Sequence, residues 1–344
     1  MQISVKTISF ILLAAAALTS CRQELCYDHF RRSQVALDYE KEWERDYGEN
    51  HAANWDEAAC AGTYDSHRPG EPESVNMTVY PADGSQPALH FLDARGGEVN
   101  LGEGPYDILF YNNDTEYIVI NDAASLPEAT ATTTTRSRAT LLELHRGERT
   151  VSPPDILYGA YTTQVPPSGI HETTPMPVTM RPLVYTYIIR YEFEEGLQFV
   201  KLARGALAGM AEKVYLRDGS TSTEAATILY DCEVTSWGVI AKVKSFGVPG
   251  FPGEHYGRDG GAVVDPSLRF TLNLETMLPN GKIKTFEYDV TSQMRRQPRG
   301  GVITVSGLYI IDEESQVDSG FEVDVDDWGE YEDIDLMITD TPIK

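Results

Sequence analysis

Cysteine is scarce in this chain of 344 residues: there are four, and no two form a Cys-x-x-Cys pair. That spacing disfavours structural zinc and thioredoxin-like redox work. Basic residues are scarce too, 28 against 53 acidic, for a net charge of −25. A surface this acidic repels phosphate backbones, which argues against nucleic acid as a partner and against charge-driven docking on anionic lipid. Catalytic signatures are missing as well. There is no Gly-x-Ser-x-Gly elbow, no His-Glu-x-x-His, and no phosphate-cradling Gly-x-x-x-x-Gly-Lys-Ser/Thr. The seven histidines, at positions 29, 51, 67, 90, 145, 171 and 255, are scattered without metal-ligand spacing. No metal or other cofactor is expected, and no catalytic residue is assigned.

What is present is a core-forming composition, 41% hydrophobic and 24% charged, in a length that suits two domains. Tyrosine and threonine are plentiful and long helix-forming runs are few, which favours β structure.

The first residues carry an address. Lys6 precedes an apolar run, Ile8 to Leu18, of the length of a signal h-region and short of the ~20 residues of a membrane span. Leu18-Thr19-Ser20-Cys21 follows, an apolar residue three before a Cys with small residues between. That is the bacterial lipobox, so residues 1–20 read as a lipoprotein signal peptide and Cys21 as the lipidation site. An ordinary secretory signal with an incidental Cys is the blander alternative. Two or three acyl chains on Cys21 bury enough methylenes, at ~0.8 kcal/mol each, to hold the chain on the outer membrane. Of the other cysteines, Cys26 and Cys60 could pair by proximity, leaving Cys232 free; three unpaired thiols serve equally well.

Along the mature chain short β-like runs alternate with turn signals. Val75 to Tyr80, Ala88 to Leu92 and Tyr106 to Tyr111 are strands, with Glu116 to Ile120 returning beyond the Asn112-Asn113-Asp114 turn. Ala129 to Arg138 is a Thr-rich loop or edge, and Ala139 to Leu144 a further strand. A proline-rich connector follows, which places a domain boundary near Thr179, between a domain over 21–178 and one over 179–344. In the second, Leu183 to Phe193 is a long strand. Leu202 to Leu216 reads as a helix, because Ala203, Leu207, Met210 and Val214 fall on one helical face. Thr227 to Val234 and Val239 to Phe246 pair around Trp237-Gly238. Leu268 to Leu278 and Lys282 to Val290 flank Pro279-Asn280-Gly281, a hairpin signal. Val302 to Ile311 is the next strand. The expected fold is therefore all-β, two β-sandwiches with Greek-key connections and one helix in the second.

The tail is acidic. Asp312 to Asp335 holds twelve Asp or Glu and no Lys or Arg. Phe321, Val323 and Val325 alternate with acids, and Ile334, Leu336 and Ile338 alternate again, as strands do. Asp324, Asp326 and Asp327 offer oxygen ligands for calcium, but Trp328 stands where an EF-hand loop needs another oxygen, and a solvated acid face explains them as well. Trp237 and Trp328 could serve as a sugar-stacking platform or as core.

The segment Cys21-Arg22-Gln23-Glu24-Leu25-Cys26-Tyr27-Asp28-His29 resembles the start of Bacteroidales lipoproteins grouped with fimbrial anchor and fimbrillin-like proteins. So do Asp107 to Asp114 (Asp-Ile-Leu-Phe-Tyr-Asn-Asn-Asp), Gly205 to Ala211 (Gly-Ala-Leu-Ala-Gly-Met-Ala) and Gly320 to Trp328 (Gly-Phe-Glu-Val-Asp-Val-Asp-Asp-Trp). The resemblance implies two transthyretin-like β-sandwiches in an exported, lipidated chain of type V pili. It implies a non-enzymatic anchor or accessory subunit in fimbria assembly and cell adhesion, on the cell surface. Its partners are membrane lipid, through acylated Cys21, and pilin subunits, by strand exchange. Pilus subunits of that kind are trimmed after an arginine near the N-terminus, for which Arg31, Arg32 and Arg45 are candidates; anchors keep their lipid. A glycan-binding lipoprotein serving polysaccharide uptake is the alternative.

Overall fold

In a computed structural model the chain is almost wholly β. The structure describes residues 31–101, 104–121, 126–137, 145, 147–165, 173–253, 264–315, 328 and 334–336. The expected strand over Ala139 to Leu144, and the Phe321 to Val325 strand, lie outside these residues.

The first strands are β1 (Arg31–Tyr39), β2 (Ser74–Pro81), β3 (Ala88–Asp93), β4 (Gly96–Leu101) and β5 (Tyr106–Asn112). Four short ones follow: β6 (Ile118–Asn121), β7 (Thr130–Thr133), β8 (Thr135–Ser137) and β9 (Thr150–Val151). With β10 (Tyr158–Val165) and β11 (Thr174–Pro182), the longer strands close a barrel in the order β1-β11-β10-β5-β2-β3-β4. β5 returns to lie beside β2 rather than β4, the Greek-key order. Alternation sends Val35 and Leu37 of β1, Val75 and Met77 of β2, and Ile108 and Phe110 of β5 into one core. β6 does not return along β5 as expected; it pairs with β7 in a separate small sheet.

The second body contains β12 (Tyr185–Glu195), β13 (Leu202–Ala211), β14 (Val214–Tyr215), β15 (Ala225–Val234), β16 (Gly238–Ser245), β17 (Thr271–Met277), β18 (Ile283–Asp289), the short helix α1 (Thr291–Arg296), β19 (Gly301–Tyr309) and β20 (Ile334–Leu336). Strands β18-β17-β13-β15-β9-β8-β20 form one layer and β16-β12-β19 the other. The core between them includes Tyr187, Ile189, Leu207, Ile228, Leu272 and Ile303. β15 and β16 join the layers at only two positions, Glu233↔Ile240 and Val234↔Val239, and then part.

Leu202 to Leu216 is not a helix. Leu202–Ala211 is the central strand β13, paired on both sides with β15 and β17. The error has a physical source. Ala203 and Leu207 are four apart and share a face of a strand as they would of a helix. A bulge then shifts the register with β15 between Leu207 and Met210, so Met210 falls on the same face three residues on. A strand with a bulge thus reproduces helical spacing. Gly209 makes the bulge, at φ +88°, with the Arg269 carbonyl where a Cβ would stand. At Gly205 the ring of Tyr230, its partner in register, fills the Cβ position.

The Asn280-Gly281 hairpin is present. Met277 pairs with Ile283, and Gly281 has φ +76° with open space around its Cβ position. A valine there meets no neighbour, so its cost is backbone strain alone. Gly281→Val is expected to destabilise the protein by about 1–3 kcal/mol. Denaturant unfolding checks this, and an unchanged midpoint would contradict the turn assignment.

Two features tie the bodies together. Val214 of β14 pairs with Ala131 of β7, so the small sheet β14-β7-β6 takes strands from both halves. Beneath it Leu109 and Tyr111 of the barrel pack with Leu216 and Phe246. The second tie is the segment 40–73 between β1 and β2. It leaves the barrel to lie on the outer face of the β16-β12-β19 layer, where Thr186 N–H donates to the Trp43 carbonyl and Arg45 N–H to that of Arg299. Thr179 lies within β11; strand partners change between Pro182, where β11 ends, and Tyr185, where β12 starts.

Candidate functional site

The outer face of the β13-β15-β17 layer is buried, although it faces away from the core. Arg204 of β13 stands in register with Glu275 of β17, and its Nε donates to a Glu275 oxygen at 2.7 Å. The two are only 1% and 2% exposed. Ala206, Leu229 and Asn273 beside them are buried as well. Strand alternation brings these residues to one face, and apolar Ala206 and Leu229 form a small cluster of their own there.

Trp328 from the acidic tail lies over Arg204, with the guanidinium 4.0 Å from its ring centroid. Further along the tail, β20 pairs antiparallel with β8, Ile334 opposite Ser137 and Leu336 opposite Thr135. The tail therefore adds the outermost strand to its own chain's sheet, on the Thr-rich edge. Arg136 of β8 fastens that edge to β15, donating to the Leu229 carbonyl and to Asp231, both at 3.2 Å. Among the described residues the Asn273 side-chain oxygen is buried without a hydrogen-bond partner.

The other concentration of chemistry is the 40–73 segment. Trp43 is buried among Trp55, Tyr64 and His67, with ring centroids 5.2–5.5 Å away. Tyr64 donates to Glu44 at 2.5 Å, and burial raises the Glu44 carboxyl. Burial lowers His67 to about 4, so its imidazole is neutral in the folded chain. His51 lies against the same cluster, its ring centroid 6.5 Å from that of Trp43. The density of Trp43, Trp55 and Tyr64 is the sequence signal for a packed segment here, since a solvated linker has no use for such rings.

Cys21 lies outside the described residues, as do Cys26, Asp324, Asp326, Asp327, His29, His171 and His255. Cys60 is a buried thiol and Cys232 a half-buried one, and neither is in a disulfide. Cys60 therefore does not take part in the expected Cys26–Cys60 bridge. Trp237 and Trp328 form no joint platform. Trp237 packs with Arg190 on one layer and Trp328 with Arg204 on the other. Among the described residues no group of His, Cys, Asp or Glu has the arrangement to hold a metal ion.

Barrel, two-layered sandwich and an outer face with Trp328 over Arg204 define the class, an all-β chain in which β20 lies at a sheet edge. Over residues 65–231 the sequence matches a family described as a domain of unknown function, DUF5119. A candidate fimbrium anchoring subunit of Bacteroides ovatus, Fim4B, is 27% identical over 142 residues, covering 41% of each chain. The match thus spans about two-fifths of that relative's length. A candidate adhesin of Bacteroides ovatus has the same fold at a TM-score of 0.55 and 17% identity, over 86% of this chain and 95% of that one. The fimbrial anchor protein Mfa2 of Porphyromonas gingivalis superposes more loosely, at 0.45 and 12% identity, over 80% and 90%. Over two-fifths of its length the chain is thus similar to a candidate fimbrium anchoring subunit, and it shares its fold with a candidate adhesin.

Proposed function

We propose that this chain is a non-enzymatic surface lipoprotein, held on the outer membrane by acylated Cys21, that serves as an anchor or accessory subunit of a fimbria in cell adhesion. The observation that carries the reading is the tail. Strand β20 lies at the edge of its own sheet, paired with β8 along only three residues, and Trp328 just before it sits over Arg204. Such a strand can leave its own sheet for that of a neighbouring subunit, since the backbone bonds lost at home are remade there. The role named for the Bacteroides ovatus relative, fimbrium anchoring, is structural rather than catalytic and agrees with this reading.

We also propose two domains, with the change between Pro182 and Tyr185 instead of at Thr179. The arginines favour a subunit that keeps its lipid. Arg45 is tied to Glu42 at 2.8 Å and Glu40 at 3.7 Å, with its N–H on the Arg299 carbonyl, so it is poorly presented to a protease. Arg31 and Arg32 are held in β1 against β4. A protease needs the backbone extended and unpaired, so cleavage there requires local opening first.

Cys21→Ser tests the anchor. Wild-type protein is expected to take up palmitate label. The variant is expected to take up none and to leave the cell in soluble form, together with any fimbrial subunit that co-purifies with it. A wild-type chain without label sinks the lipid anchor. A labelled chain that brings down no fimbrial subunit from surface extracts sinks the fimbrial role.

A further inference from the structure

Lys242 and Lys244 stand two residues apart on β16, so both project from the side opposite core residues Ala241 and Val243. Lys242 reaches the Ala61 carbonyl at 3.4 Å. Lys244 has no ion pair among the described residues. In a chain with 53 acids and 28 bases, two neighbouring lysines without a carboxylate partner are out of keeping.

The acids nearby are already engaged. Asp231 pairs with Arg136 at 3.2 Å. Asp155 accepts the backbone N–H groups of Glu116 and Tyr117 at 2.7 and 2.5 Å. These groups and the two lysines line one cleft of about 350 Å³. It sits in the fork where β15 and β16 part. Pairing with β9 ends at Ile228 and pairing with β16 starts at Glu233, so among the described residues β15 has no strand partner between them on this side. Pro153 and Pro154 form a stiff wall that donates no N–H.

We propose that this fork binds an anionic saccharide, with a carboxylate or sulfate on Lys242 and Lys244 and ring hydroxyls on the polar walls. The volume falls in the range of small-ligand sites, about 300–1,000 Å³. A peptide fits less well. Apart from the two prolines the lining has no aliphatic side chain to receive an anchor residue, and the Glu233–Ile240 pair closes the fork at one end. The acidity of the whole chain does not forbid an anionic ligand. At physiological salt, charges beyond about 8 Å are largely screened, and the local lysines decide. An acidic glycan on a neighbouring surface is then the kind of target that an adhesive subunit would hold.

The test titrates the intact protein with trigalacturonate, a sulfated chondroitin disaccharide, neutral galactotriose and an oligoglutamate peptide. At least one anionic sugar is expected to bind, more tightly at low salt, and the neutral one not. Trigalacturonate binding places the carboxylate on the lysines; binding of the chondroitin disaccharide alone requires the sulfate. Lys244→Glu is expected to weaken binding about tenfold or more, as loss of a charged hydrogen bond does. Lys244→Gln, the milder change, should weaken it less, and Lys282→Glu on the distant hairpin not at all. The proposal is overturned if neither anionic sugar binds, if the neutral one binds as well, or if oligoglutamate binds better than both. It also fails if Lys244→Gln, melting like wild type, binds like wild type.

Discussion

Removal of Glu330 to Lys344 is expected to leave a protein that folds and melts within a few degrees of wild type, yet captures no fimbrial subunit. The first half of that expectation follows from where the stabilising contacts lie. Both large cores are built from residues before Ile311. The lost strand β20 has three residues in register with three of β8, and Trp328 stays in place over Arg204. A few hydrogen bonds at about 1 kcal/mol net each, against roughly 2–4 °C per kcal/mol in a chain this long, give a small shift. The second half follows from strand exchange: without the tail there is nothing to pass to a neighbour. Each result separates the readings. A truncated protein that unfolds shows that the tail belongs to the home sheet as a structural strand. One that folds and still captures its partners shows that the tail is not the connecting strand.

Strand content was legible in the sequence wherever alternation was uninterrupted. Tyr106 to Tyr111 is β5 to within a residue, and Asn280-Gly281 turns where its chemistry says it must. Reading failed where strand geometry itself breaks the period, as at the Gly209 bulge in β13. It also failed where short-range logic assigned a partner. Glu116 to Ile120 lies just past a turn after β5 and reads as its return, but only tertiary packing shows that β6 prefers β7. β15 and β16 follow a turn and were expected to pair throughout, whereas the two-layer fold needs them apart after two residues. The buried outer face was not legible at all. Arg204, Asn273 and Glu275 are polar residues in strands, and by alternation alone they belong in solvent. Nothing local says that a tail about fifty residues beyond Glu275 comes back to cover them.

That face also holds a buried ion pair. Arg204 and Glu275 are both nearly inaccessible to water, and they meet at 2.7 Å in direct strand register. Their attraction offsets, without greatly exceeding, the cost of removing two charges from water. The consequence is asymmetric. Glu275→Leu leaves a buried guanidinium without its carboxylate, and Arg204→Met leaves a buried carboxylate without its cation. Either is expected to cost about 3–5 kcal/mol. The double variant Arg204→Met/Glu275→Leu leaves neither charge and fills similar volume, so it is expected to recover most of that loss. Denaturant unfolding of the four proteins gives the coupling directly. Singles that each cost under 1 kcal/mol would show the pair to be hydrated in solution, with the tail not seated over it. Recovery in the double variant carries a second consequence, because Trp328 then loses the cation beneath its ring. If the guanidinium holds the tail at home, the double variant should be as stable as its core allows but should release the tail more readily. Faster protease nicking within Ser315 to Asp333, with the global unfolding midpoint unchanged, is the expected sign. Nicking at the wild-type rate would mean that β20 on β8 holds the tail without help from Arg204.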